Sequence, residues 1–448
     1  MIIRVSVENF KSFDSNAELT MISSAKIQDH KNHRIGVKST NILKHAAIYG
    51  ANAAGKSNIV DFFDLFKSTI EKDIPIWAAE CYCKNKEENK TAKSNFEIQF
   101  TLADKFYAYG FSAVLNERKI KNEWLYELFQ DGTSRRLFER EAGKRPFLGE
   151  KVRLDSDERK RFDVYAEDFE SNDTTLFLNE MNRGKKYQEG SKLLFFRDVY
   201  HWFLDNLYVI RPGTPLMDFE YYYDEDFLDI INKLIQTFDT GISEVTVQEI
   251  TLEELEHSIP QSIFHRVMRD IQEKVGEGEK MQGTLRSQNS IFSIAVDENK
   301  ELSIKTIRFH HRESFYDFQF GEESDGTRRL FDLIDILLNV RNDIVYVVDE
   351  LERSLHPKLT EHYLKIYMQF HDGLRNQLIF MTHEASIMDQ SLFRRDEIWF
   401  VERDEHNSSK IYSLDRFKER YDKKIEKAYL EGRYGAIPVF SEFKYGEE

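Results

Sequence analysis

The feature that most restricts this chain is an eight-residue run, Gly50-Ala51-Asn52-Ala53-Ala54-Gly55-Lys56-Ser57. Its spacing, G-x-x-x-x-G-K-S, is that of a phosphate-cradling loop placed between a strand and a helix. The flanks agree with that context. Ala46-Ala47-Ile48-Tyr49 reads as a buried strand, and Asn58 to Phe66 carries apolar residues at helical steps. Glycines at 50 and 55 let consecutive N–H groups turn toward one anion, and the helix N-terminus adds partial positive charge. In this chemistry the lysine, Lys56, reaches the β- and γ-phosphates and the serine, Ser57, holds Mg²⁺.

Composition narrows the rest. The chain has 448 residues, 32% charged and 13% aromatic, with seven prolines, which describes an ordered protein large enough for two or three lobes. A net charge of −16 argues against a protein that mainly coats nucleic acid. Cys81 and Cys83 cannot by themselves complete a four-ligand zinc site, and they read as reduced thiols of a cytoplasmic protein. No run of 18 apolar residues is present, so no membrane partner is expected. The N-terminal Met1 to Val7 reads as a strand, not a leader.

Along the chain, Ile3, Val5 and Val7 share one strand face, and Asn9-Phe10-Lys11-Ser12-Phe13 closes that strand with a polar turn. The His/Lys-rich stretch within 15–45 is read either as a solvated loop or as a contact to base or ribose. Residues 92–140 alternate as a β-meander. Residues 135–161 hold ten basic against six acidic residues, a local excess that suits either phosphates or a salt-bridged surface. Residues 157–285 read mainly as helices, with Tyr187 to Leu204, Asp226 to Phe238 and Leu252 to Val275 as the clearest, and Leu207 to Ile210 as a strand before a break at Pro212-Gly213. The chain turns polar around Gly276, Gly278 and Gly283, and strands return at 291–295 and 302–307.

A second set of motifs completes a nucleotide site. Ile344 to Val348 is a continuous apolar run, as in a strand buried on both faces, and it ends in Asp349-Glu350. Carboxylates at such a strand end fall on the ligand-binding edge of an α/β sheet. Asp349 is placed for Mg²⁺ and Glu350 for deprotonating water. Ser324-Asp325-Gly326-Thr327 opens an apolar helix and offers an anion site. A second buried strand, Gln377 to Thr382, ends in His383, in position to sense the γ-phosphate.

The order of P-loop, Ser-Asp-Gly helix, Asp-Glu strand, Leu351-to-Pro357 loop and terminal histidine resembles the ABC-type ATPase head of Rad50, SMC and RecF proteins, over roughly residues 1–70 and 290–405. The resemblance implies ATP and Mg²⁺ as cofactors. It implies Asp349 as the Mg²⁺ aspartate, Glu350 as catalytic base and His383 as switch histidine. Asn52 matches the asparagine of Rad50-like loops, and Gln99 is the nearest match to a Q-loop glutamine. Ser324 and Gly326 would contact ATP held by Gly55, Lys56 and Ser57 of a second subunit. Composite sites in a homodimer or higher homo-oligomer follow.

Asp396 to Glu402 and Tyr429-Leu430-Glu431-Gly432-Arg433-Tyr434-Gly435-Ala436-Ile437-Pro438 are similar to the closing segments of RloA/AbiL-type standalone ATPases of bacterial anti-phage loci. Read from its residues alone, the second stretch is a compact turn that packs a C-terminal tail, with Arg433 either structural or acting in trans. About 40 residues follow position 405, too few for a Toprim nuclease, so a separate effector protein (RloB-like or a nuclease) is expected. The expected fold is α/β: an ABC-type head with an N-terminal β-meander in 1–150, a mainly helical insertion in 151–288, and the second half of the head in 289–448. Three functions stand: an ATPase sensor or regulator of an anti-phage system, a RecF- or Rad50-like DNA-repair ATPase that binds nucleic acid, and an ATP-stabilised scaffold without required turnover.

Overall fold

The computed structural model describes residues 1–212, 223–277, 281–287, 289–297, 300–417 and 424–437; Gly213, Gly278 and Pro438 lie outside them. The chain divides into two compact units. The first gathers Met1–Arg211, Arg341–Leu351 and Asp372–Glu448, and the second Pro212–Val340 and Glu352–His371. No described helix is long and apolar enough to cross a membrane.

The first unit contains a six-stranded sheet in the order Leu207–Ile210, Val345–Val348, Gln377–Met381, His45–Tyr49, Ile398–Arg403, Ser409–Ser413. The first five strands are parallel and the last is antiparallel. Every residue of His45–Tyr49, Val345–Val348 and Gln377–Met381 is buried, as the unbroken apolar runs require of strands covered on both faces. Strands distant in sequence thus present their carboxyl ends side by side, and the loops that follow them carry the polar motifs.

A seven-stranded antiparallel sheet occupies the same unit, in the order Phe147–Leu148, Ser134–Glu141, Lys119–Leu128, Lys105–Val114, Ser94–Leu102, Ile2–Glu8, Ala17–Thr20. The expected meander is its larger part. Its alternating residues put Phe96, Phe100, Tyr109 and Phe111 into the core. The helix Lys56–Glu71 answers with Phe62 and Phe66: Phe66 lies 5.3 Å from Phe111 and 5.9 Å from Tyr109, edge-on to the latter. Such pairs contribute about 0.5–1.5 kcal/mol each beyond their buried area. The helix that follows the glycine loop is therefore fixed by a rigid aromatic layer.

The second unit holds a four-stranded antiparallel sheet, Ile242–Glu249, Leu302–His311, Ile291–Val296, Met281–Arg286, with helices Glu225–Gln236, Leu252–Ser258, Gln261–Glu277, Asp325–Leu338 and Pro357–Phe370. Several elements differ from the sequence reading. The helix expected over Leu252 to Val275 is two, because Pro260 forces Ile259 into an extended conformation (φ −133°, ψ 155°). The helix expected from Tyr187 begins at Leu194. Ahead of it, the Ser191 hydroxyl and the Lys192 N–H both donate to Glu158 Oε1 (2.5 and 2.8 Å), which holds that segment in a turn. Gly283 is paired with Ile294 inside a strand and does not mark a polar loop.

Candidate functional site

The glycine loop leaves the strand His45–Tyr49 and enters the 16-residue helix Lys56–Glu71. Gly55 is that helix's N-cap, at φ 113°, in the left-handed region that a Cβ disfavours. A Cβ there would also stand 2.6 Å from the Ser12 and Ser409 hydroxyls. Those two hydroxyls lie 2.6 Å apart; Ser409 Oγ reaches Ala54 O at 2.5 Å, and Asn58 Nδ2 donates to Ser12 Oγ at 2.6 Å. Two serines from opposite ends of the chain thus clamp the loop. Asn52 is exposed at its crest.

Lys56 is 6% exposed, and its ammonium donates to Gly50 O (2.7 Å), Ala51 O (3.2 Å) and His383 Nδ1 (3.2 Å). An ammonium can only donate, so Nδ1 of His383 is the acceptor and the ring proton sits on Nε2. The Ser57 hydroxyl is hydrogen-bonded to Asp349. Burial pushes the Asp349 carboxyl above its usual range, the Ser57 bond opposes this, the neighbouring Glu350 charge adds to it and Arg211 opposes it. Glu350 has φ 46°, left-handed for a bulky non-glycine residue, and is half-buried. Backbone strain of this kind concentrates at reactive sites. The first unit therefore joins Lys56 to His383 and Ser57 to Asp349, with Glu350 next in the chain.

Three further residues of the site escape a reading by motif. Lys11 forms an ion pair with Asp61 of the loop helix, and Arg211 reaches Asp61 at 2.5 Å and Asp64 at 2.8 Å. Arg211 follows the strand beside the one ending at Asp349, whose N–H donates to Ile210 O at 2.9 Å. Ser409 is the third. The available signals were small: Lys11 in the polar turn closing the first strand, and Arg211 at the end of a short apolar run. Gln99 lies within Ser94–Leu102, opposite Ala108, and its amide bonds Glu97 at 3.0 Å.

Ser324 and Gly326 belong to the second unit. Ser324 N-caps the helix Asp325–Leu338, accepting from Thr327 N at 3.1 Å. A Cβ on Gly326 would meet Ser354 O at 2.7 Å, so only glycine lets the loop after the carboxylates come this close. Beside the helix start lies a cavity of about 440 Å³ lined by Arg286, Arg328, Arg329 and Arg353 together with Asp325 and Asp332. Arg286 pairs with Asp332, and Arg328 with Asp325.

The donor set of the first unit suits a triphosphate with a divalent cation: curled backbone N–H groups, a buried ammonium, and a hydroxyl bonded to a carboxylate. Other sequence expectations resolve differently. His33 is neither solvated nor poised to touch a base: it is 4% exposed and its Nδ1 donates to Glu397 at 3.0 Å. The closing segment forms the expected compact turn over its described residues. Gly432 and Gly435 have positive φ, Tyr412 donates to Tyr434 O at 2.7 Å, and Arg433 is exposed and paired with Glu431 at 3.0 Å. Cys81 and Cys83 are buried thiols.

No curated protein matches the chain. Among solved structures, an SMC head domain from Thermotoga maritima is 13% identical, with a TM-score of 0.37 and coverage of 92% of this chain and 98% of that one. An SMC head with extended coiled coil from Pyrococcus furiosus, bound to the C-terminal domain of ScpA, is 12% identical, with a TM-score of 0.38 and coverage of 97% and 98%. A family model described as "AAA domain, putative AbiEii toxin, Type IV TA system" matches residues 46–389, from the strand before the glycine loop to just beyond His383, and the chain belongs to that family.

Proposed function

We propose that the chain is an ATP phosphohydrolase of the ABC-head type whose complete site is shared between two copies, and that it serves as the sensor or regulator subunit of a bacterial anti-phage system with a separate effector. The observation that carries the catalytic part is the double link across the sheet edge, Lys56 to His383 and Ser57 to Asp349, next to a strained Glu350. Bound ATP with Mg²⁺ supplies a transferable phosphoryl group and a divalent charge to neutralise it. The loop N–H groups and Lys56 bind and orient the phosphates. Ser57 and Asp349 hold the cation. Glu350 accepts the proton of the attacking water, and His383 presents Nε2–H.

The shared-site reading draws on the second unit. Four arginines line a cavity beside the helix that Ser324 caps and that Gly326 helps to open, a setting suited to the phosphates of nucleotide carried by another copy. Slowing hydrolysis should then trap the assembly. Glu350→Gln with ATP is expected to shift to a dimer or larger species by light scattering, while Lys56→Ala is not. A Glu350→Gln chain that stays unchanged with saturating ATP would remove the shared site from consideration.

The defence role draws on the resemblance of the closing segments and on the family description, which names a toxin and a toxin–antitoxin system. Expressed without its operon neighbour, the chain is expected to give no phage protection; full protection by the single gene would refute the separate effector. A RecF- or Rad50-like repair role has less support, because much of the basic stretch 135–161 is paired internally. DNA-stimulated turnover that strengthens at low salt would favour it. Full biological activity of Glu350→Gln would favour a scaffold.

A further inference from the structure

The basic stretch 135–161 has no part in the nucleotide site, and its charges divide into two groups. Arg140 is 2% exposed and faces Glu123 at 3.7 Å; Arg136 pairs with Glu139 at 2.9 Å, Lys144 with Glu141 at 2.8 Å, Arg145 with Glu167 and Arg135 with Glu127. Lys151, Arg153, Arg159, Lys160 and Arg161 differ: all five are exposed and none has an ion-pair partner among the described residues, and of these Lys151 and Arg153 line a cavity. The two converge with Lys105 and Lys192, also without such partners, on this cavity of about 520 Å³ in the first unit.

Part of the lining of this cavity is apolar. Leu137 and Val199 are buried in it, and Phe195 is half-buried on its wall. Tyr107 lines it too, is 7% exposed, and its hydroxyl has no hydrogen-bond partner among the described residues. Burial, then the charges of Glu127 and Asp198, push the Tyr107 pKa up to about 12, so the hydroxyl keeps its proton at neutral pH. The two acids on the wall are each ion-paired, Glu127 with Arg135, which also lines the cavity, and Asp198 with Arg197 at 3.1 Å.

A nucleic-acid backbone is matched by a track of cations along a groove. Here the lining is mixed: Leu102, Leu137, Val152, Leu194, Phe195 and Val199 stand among the cations, and a passing backbone would leave that apolar part unfilled. The volume falls in the range of about 300–1,000 Å³ typical of small-molecule sites. We propose that this cavity binds a nucleoside monophosphate or a similar organic phosphate with a flat body. Lys105, Lys151, Arg153 and Lys192 hold the phosphate, the ring lies against Phe195 and the aliphatic side chains, and the Tyr107 hydroxyl orients it.

The test uses the full chain carrying Lys56→Ala, so that the glycine loop does not contribute, and titration calorimetry with three probes: AMP, ribose 5-phosphate and inorganic phosphate. AMP is expected to bind at least about tenfold more tightly than either probe lacking a base. Lys151→Glu with Arg153→Glu should weaken AMP by about tenfold or more, and Tyr107→Phe by roughly threefold, with the thermal midpoint of each variant unchanged. No heat with AMP at about 1 mM, equal affinity for AMP and ribose 5-phosphate, or binding that survives the charge reversals would each overturn the proposal. So would single-stranded DNA binding that the same reversals abolish while AMP fails to bind.

Discussion

Gly55 is held by two independent restraints, a backbone at φ 113° and two serine hydroxyls where a Cβ would stand. Gly55→Ala should therefore destabilise the fold by about 1–3 kcal/mol and abolish nucleotide binding, read as a lower thermal midpoint and a flat fluorescent-nucleotide titration. A loop that accepts alanine without loss would mean that Ser12 and Ser409 do not clamp it. Asp349 sets a second expectation. Only its ionised form can hold Mg²⁺, and burial raises its pKa, so Mg²⁺-dependent nucleotide affinity should fall on acidification at a higher pH than an ordinary aspartate would cause. Asp349→Asn should weaken Mg²⁺-dependent binding and remove that acid-side slope. At this scale the motif residues were legible because their chemistry depends on local spacing. Lys11, Arg211 and Ser409 were not, because strand order alone brings them to the loop.

Among elements, the strand that feeds the glycine loop begins at a buried cluster. Glu397, at the entry to Ile398–Arg403, accepts from His33 Nδ1 at 3.0 Å, His45 Nδ1 at 3.2 Å and the Arg394 N–H at 2.8 Å. Burial by itself would raise the Glu397 pKa, but the two imidazole donors outweigh it and bring it down to about 2. Burial lowers His45 to about 4, against the pull of Glu397. Both groups take up protons in the unfolded chain before they do so in the folded one. Stability should therefore fall as pH drops from about 6.5 toward 4 through His45, and further from about 4.5 toward 2 through Glu397. Urea midpoints measured across this range check it. His45→Gln, which keeps a donor but does not titrate, should flatten the upper part of the decline; an unchanged slope would assign the acid sensitivity to other groups. The cluster also shows where element reading stops. Apolar runs marked the parallel strands, but the histidines near residue 33 looked like loop composition until the sheet placed Glu397 beside them. The helix starting at Leu194 is similar: periodicity in 187–193 suggested an earlier start, and only Glu158, some thirty residues away, shows why it does not occur.

For the whole molecule, the division of the chain separates the two halves of the proposed chemistry. Lys56, Ser57, Asp349, Glu350 and His383 all belong to the first unit, and Ser324 and Gly326 to the second. If a site is built from the first unit of one copy and the second unit of another, two inactive chains should rescue each other. Lys56→Ala lacks a working loop but keeps Ser324. Ser324→Arg keeps the loop but loses the helix cap, at a cost of about 1 kcal/mol to the fold, and places a bulky cation where phosphate would sit. Each alone should hydrolyse little ATP. Mixed in equal amounts and allowed to exchange, half of the dimers would be hybrids, each with one sound site of two, so turnover should recover to about a quarter of wild type. Nucleotide binding by Ser324→Arg, measured separately, confirms that its own loop is intact. Hybrids that form, as shown by a tag on one partner, yet stay inactive would place Lys56 and Ser324 in the same site within one chain. Rescue would mean instead that ATP joins two copies, so that any effector attached to the assembly would respond to nucleotide through subunit pairing.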